Sequence, residues 1–233
     1  MSLCPTLPAS QRLMSALGVA FLVLSGLSGP VFSQSAAEAV VGKFVTESVP
    51  ATVTINGFRS ATFGMGQEAV RAAILADFDI KDDSIQAGEN AVERTQILTV
   101  AVPNLILDGG VAQVSYVFGY ESKTLIQVGA TWSTKTDPRV TAKMLYDNGE
   151  VLRAHFMAEA YVPETIQINV ALPNGILMFR GADAENHATL LLLQGTFATG
   201  EDGRNTLTPA SLDLLYSSDP DAPDIFTLPK GSF

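Results

Sequence analysis

The stretch "TVAVPNLIL" (residues 99–107) is nearly repeated as "NVALPNGIL" (169–177). Val100, Ala101, Pro103, Asn104, Ile106 and Leu107 recur as Val170, Ala171, Pro173, Asn174, Ile176 and Leu177. Val-Ala closes an extended run. Proline cannot donate to a sheet ladder, and asparagine tolerates the left-handed turn conformation, so Pro-Asn stops or bends the strand. The phrase reads as punctuation, from duplication or a shared turn, rather than as a repeated ligand-binding element.

The surroundings repeat in pattern. Ahead of the first phrase, "GQEAVRAAILADF" (66–78) places Val70, Ala73, Ile74 and Asp77 at helical spacing, with Gly66 as N-cap and Glu68 at the positive end of the dipole. Ahead of the second, "DPRVTAKMLYDNGEVLRAHFMAE" (137–159) reads as a helix capped by Asp137 with Pro138 at its first position. Its stripe is Val140, Met144, Leu145, Val151, Leu152 and Phe156, and Gly149 marks a kink or break.

Strand-like sequence follows each phrase. "VAQVSYVFGY" (111–120) sets Val114, Tyr116, Phe118 and Tyr120 on one face, and "TLIQVGATW" (124–132) does the same with Ile126, Val128, Ala130 and Trp132. "GILMFRG" (175–181) and "ATLLLLQGTF" (188–197) occupy the matching places. The expected class is α+β: two tandem helix-then-antiparallel-sheet units, whose strands are able to share one continuous sheet with both helices on one face. The expected layout is a signal peptide over 1–33, a linker or edge segment over 34–57, and helix-sheet units over 58–134 and 135–199. A polar turn, a last strand "SLDLLYS" (211–217) and a C-terminal strap complete 200–233, with Thr208-Pro209 able instead to start a short helix.

Arg12 followed by the uncharged "LMSALGVAFLVLSGL" (13–27) has the charge and length of a signal peptide, with cleavage near Ser33. The run is shorter than the roughly 20 residues that span a bilayer, so the expectation is a periplasmic or secreted protein with no integral membrane span. The one cysteine, Cys4, precedes that run and is lost on cleavage, leaving no thiol nucleophile or disulfide. A net charge of −10 gives no reason to bind phosphate backbones, which argues against a nucleic-acid partner.

No nucleophile elbow, phosphate loop, dinucleotide fingerprint or paired-histidine zinc motif is present, so no catalytic, cofactor or metal residue is assigned. Asp183, Glu185 and His187 alternate in "GADAENHAT" (181–189) and would share a face on an extended strand, as a cation site requires. Lying between two apolar runs, they read instead as a polar hairpin loop. His155 reads as a helix-boundary histidine satisfied by a neighbour. Tyr116, Phe118, Tyr120 and Trp132 read as core. Asp219, Asp221 and Asp224 lack the glycine turn and distal glutamate of a calcium loop, so the tail reads as a strap docked by Ile225 and Phe226.

"FGMGQEAVRAAI" (63–74) resembles the opening of exported α/β proteins that begin a helix at a Gly-Met-Thr motif. These are the small outer-membrane assembly lipoproteins and the β-lactamase inhibitor proteins. Phe63, Gly64, Met65 and Val70 match, Gly66 stands where a capping threonine is expected, and a lipoprotein cysteine is lacking. The resemblance implies tandem helix-plus-sheet modules that grip a protein on a concave sheet. The functional expectation is an exported, soluble, non-enzymatic binding protein for a protein or small-molecule partner. The alternative is a hydrolase or metal-dependent enzyme with its site near Asp183, Glu185 and His187.

Overall fold

Val114, Tyr116 and Phe118 alternate with Gln113, Ser115 and Val117, and that pattern becomes an inner strand buried on one face. The computed structural model describes residues 53–200, 203–228 and 231. The expected signal peptide, its cleavage site and the linker up to residue 52 lie outside the described residues.

A two-stranded hairpin, β1 (Gly57–Phe58) and β2 (Ala61–Thr62), leads into helix α1 (Gln67–Phe78). Four strands follow: β3 (Gln86–Asn90), β4 (Thr95–Pro103), β5 (Val111–Phe118) and β6 (Leu125–Ser133). Helix α2 (Ala142–Met157) then precedes β7 (Gln167–Leu172), β8 (Gly175–Ala182), β9 (Ala188–Thr199) and β10 (Asn205–Ser217). The eight longer strands form one antiparallel sheet in the order β3-β4-β5-β6-β10-β9-β8-β7. No helix among the described residues is long and apolar enough to cross a membrane.

This arrangement corrects the expected class. The protein is mostly β, with one eight-stranded sheet, a small hairpin and two helices among the described residues, and it is not two tandem helix-sheet units. β10 pairs with β6 from Ser211↔Ser133 to Ser217↔Gln127, in mid-sheet, so neither half closes on itself. A single apolar cluster runs from Val70 and Ile74 of α1 through Tyr116, Trp132 and Leu212 to Leu145 and Phe156 of α2. The repeated phrase does not mark equivalent places either. Its first copy ends β4, an inner strand, whereas its second ends β7, an edge strand. Asn104 takes the left-handed conformation at φ 56°, but in the second copy the left-handed residue is Asn169, at φ 54°. The shared letters are turn chemistry used at two different turns.

Two boundaries also move. α2 begins after Thr141, whose hydroxyl accepts from the Met144 amide at 3.2 Å. Asp137 is spent earlier: its carboxylate accepts from the Val111 amide at 3.2 Å and from the Arg139 amide at 3.0 Å. Gly149 does not break α2, which runs unbroken from Ala142 to Met157. It lets the helix approach the sheet, because a Cβ there would lie 2.6 Å from Met178 Sδ and 3.3 Å from Leu212 Cδ1. Residues 205–208, expected to be turn, extend β10, and Pro209 sits at a register shift against β9 rather than starting a helix.

Candidate functional site

The last turn of α2 brings His155 and Phe156 over the sheet, with Glu159 just past its end, because α2 packs across β8, β9 and β10. Phe156 is buried and stacks on Phe179 of β8 at 5.6 Å, with its edge toward Tyr216 of β10 at 6.4 Å. Tyr161 meets Phe179 edge-on at 5.0 Å and donates to Thr189 Oγ1 of β9 at 3.2 Å. Phe58 of β1 stacks on Tyr216 at 5.8 Å. Residues 53–59 close the arrangement from above. They are held by the Val53 amide on the Ala160 carbonyl and the Ile55 amide on Asp183 Oδ2, each at 2.8 Å.

Between these pieces lies a cavity of about 330 Å³, walled by Phe58, Phe156, Tyr161, Thr189 and Tyr216 and by the backbone of residues 53–57. Its rim carries Arg59, His155 and Glu159. His155 Nε2 stands 3.3 Å from Glu159 Oε1, which supplies the neighbour expected for this histidine. Burial, aided by the charges of Glu159 and Asp183, pushes the Tyr161 phenol up to about 12. Burial likewise raises Tyr216, with Tyr161 and Glu159 contributing. Both phenols therefore stay protonated, so they are hydrogen-bonding groups and not bases or nucleophiles at neutral pH. Aromatic rings, hydroxyls, backbone polar groups and the side chains of Arg59, His155 and Glu159 thus give the cavity a mixed polar and apolar lining.

A second polar constellation lies on the other face of the sheet. Asp213 of β10 is 1% exposed and accepts from Thr131 Oγ1 at 2.7 Å, Ser211 Oγ at 2.9 Å and Gln194 Nε2 at 3.1 Å. Burial raises its carboxyl above the ordinary value, and those three hydrogen bonds offset part of the rise. Every donor is neutral, so the carboxylate is solvated by the protein without an ion-pair partner among these contacts.

Asp183, Glu185 and His187 do lie in the loop between β8 and β9, but they do not converge on a cation. Asp183 Oδ1 accepts from the His187 amide at 2.8 Å and the Glu185 amide at 3.1 Å, and Oδ2 holds Ile55. His187 Nδ1 approaches Oδ2 at 3.3 Å without hydrogen-bond alignment, and its ring packs on Phe63. Among the described residues, no group of three or more His, Cys, Asp or Glu side chains is placed to hold a metal ion.

Tyr116, Phe118 and Trp132 are fully buried in the core, as expected. Tyr120 instead meets Phe226 of the tail edge-on at 5.4 Å, where the Arg94 guanidinium also covers Phe226 at 3.7 Å. Asp224 accepts from the Glu121 and Ser122 amides at 2.9 and 2.8 Å, so its carboxylate fastens the strap to the β5–β6 turn.

Sequence reasoning did not find the cavity or Asp213. Phe58, Tyr161 and Tyr216 come from three distant segments, and nothing local announces that they meet. Asp213 left one signal: a lone acid at an alternate position of the apolar run "SLDLLYS". Comparison of the chain with protein-family models, with curated proteins and with solved structures found no match in any of the three.

Proposed function

We propose that this chain is an exported, non-enzymatic binding protein whose site is the aromatic cavity between residues 53–59, the end of α2 and Tyr216. The observation that supports the reading is the composition of that cavity: four aromatic rings, two of them phenols kept protonated by burial, beside Arg59, His155 and Glu159. A reaction centre needs a base or nucleophile poised to act near neutral pH. Apart from Arg59, His155 and Glu159, the residues lining this cavity offer rings, hydroxyls and backbone, which hold a ligand without transforming it. The N-terminal run after Arg12 supports export.

Native mass spectrometry of the protein taken from the exported fraction of its own cell tests the reading. A co-purified small molecule, released on unfolding and reduced by Phe58→Ala, is the expected result. A bare chain, together with no change in melting temperature across a set of small aromatic and amine compounds, counts against it.

A further inference from the structure

We propose that the cavity takes a small organic cation, an ammonium or quaternary ammonium group on a compact carbon frame. The inference rests on the reading of the cavity as the binding site and names the ligand class for it. Its first support is the wall. Phe58, Phe156, Tyr161 and Tyr216 border the space, and the face of an aromatic ring is the negative end of its quadrupole. The protein already uses this property at the rim, where the Arg59 guanidinium lies 5.8 Å from the centre of Phe58 and 4.8 Å from that of Phe78. Arg59 also donates to the Asp77 carbonyl at 3.3 Å, which fixes its charge on the side of α1.

The second support is the sign of the fixed charge. Glu159 stands at the cavity edge, and its charge is felt at both Tyr161 and Tyr216. Asp183 lies behind residues 53–56, fully buried, and acts on Tyr161 in the same sense. α2 ends at Met157, so the wall from His155 to Glu159 belongs to the negative end of a helix of 16 residues. Two groups of the lining are able to oppose these charges, Arg59 and His155. Arg59 is held toward α1 by the Phe78 ring and the Asp77 carbonyl. His155 is largely exposed and stands 3.3 Å from Glu159, so a bound ammonium group can displace it from that carboxylate.

Competing ligand classes fit less well. An anion would meet Glu159 and a chain of net charge −10. A neutral apolar molecule would use the rings but gain nothing from the Glu159 carboxylate. A cavity of about 330 Å³ is at the small end for ligand sites, which suits a compact cation.

Three probes of matched shape separate the possibilities: choline, its neutral carbon isostere 3,3-dimethylbutan-1-ol, and 3,3-dimethylbutanoate. Each is titrated into the full folded chain and followed by NMR. Choline is expected to bind at least tenfold more tightly than the alcohol, with no detectable binding of the butanoate. Glu159→Gln, at a surface position that the fold tolerates, should weaken choline several-fold and leave the alcohol unchanged. Equal or tighter binding of the alcohol would overturn the cation inference while leaving the cavity as a binding site. Choline binding indifferent to Glu159→Gln would place the ligand elsewhere and also overturn it. Silence from all three probes would remove the inference and the cavity reading together.

Discussion

Thr131 Oγ1 donates to Asp213 Oδ1 at 2.7 Å across the seam where β6 meets β10. The bond joins strands 82 residues apart in sequence and satisfies a carboxylate in the middle of the sheet. A buried charge held only by neutral donors is expensive. In its charged form Asp213 therefore adds little to stability. In the opposite register-neighbours Leu212↔Trp132 and Leu214↔Ala130, apolar side chains carry the packing.

The pH dependence follows. The folded-state pKa of Asp213 is raised by burial. Its favourable contribution is complete below the ordinary carboxylate value and is lost as pH rises through the raised value. Asp213→Asn should flatten that decline, giving a higher urea midpoint than the parent at pH 8 and a smaller difference at pH 4. Thr131→Val removes a donor to the charged form and should cost about 2 kcal/mol at pH 8, and less under acid. A decline unchanged in Asp213→Asn would assign it to another group.

Asp137 gives the opposite slope. The hydrogen bonds from Arg139, side chain first and then backbone, hold its carboxyl well below the ordinary range, with Val111 adding to them. Its contribution is present above the ordinary carboxylate value and is lost as pH falls from there toward the depressed one. Asp137→Asn should therefore remove part of the acid-side loss of stability and none of the alkaline-side loss. Urea midpoints of the two asparagine variants at pH 3 and pH 8 should change in opposite halves of the profile.

Gly149 was legible as an anomaly in the sequence, although its meaning was not. A glycine in a helix costs roughly 1 kcal/mol against alanine, which suggests a kink when only the helix is considered. The reason for it lies on another element: Met178 Sδ and Cε would stand 2.6 and 2.9 Å from an added Cβ. Gly149→Ala gains helix propensity but overpacks the contact, by roughly 1–3 kcal/mol. Sδ and Cε are the free end of a flexible side chain, so part of the overpacking is relieved and the net expectation is a change within about 1 kcal/mol. Met178→Ala should make the same glycine substitution neutral or stabilising, which a double-mutant cycle by urea unfolding would read directly.

The same division runs through the whole chain. Alternation exposed β5 and β6, since a half-buried strand writes its burial into every second residue. α1 was placed within a residue by its stripe and by Gly66. β3, "QAGEN", gave no signal because it is a mostly exposed edge strand without an apolar face. The first half of β10 was hidden by "NTLTPAS", whose proline and hydroxyls look like a turn, although a bulge accommodates Pro209. Strand order is set by pairing at long range, and the β6–β10 seam left no local trace. The cavity was illegible for that reason: its rings gather only once β10 lies beside β9 and α2 crosses both.

The edge strand β7 carries the last prediction. Ile168, Val170 and Leu172 are 38%, 41% and 38% exposed, and residues 165–179, "TIQINVALPNGILMF", contain no charge. The opposite edge, β3, is short and carries Glu89. Edge strands are commonly guarded by charge, proline or a bulge, because their free amides and carbonyls template pairing. β7 has one such guard, the left-handed Asn169 in its middle, which bends the strand where a partner would align. Val170→Lys adds the missing charge at an exposed position and should change stability by no more than about 0.5 kcal/mol. It should also slow turbidity growth on heating. Asn169→Val should act in the reverse direction, since it favours a straight strand and strains the left-handed one. Equal aggregation rates for parent, Val170→Lys and Asn169→Val would show that β7 is not where association begins.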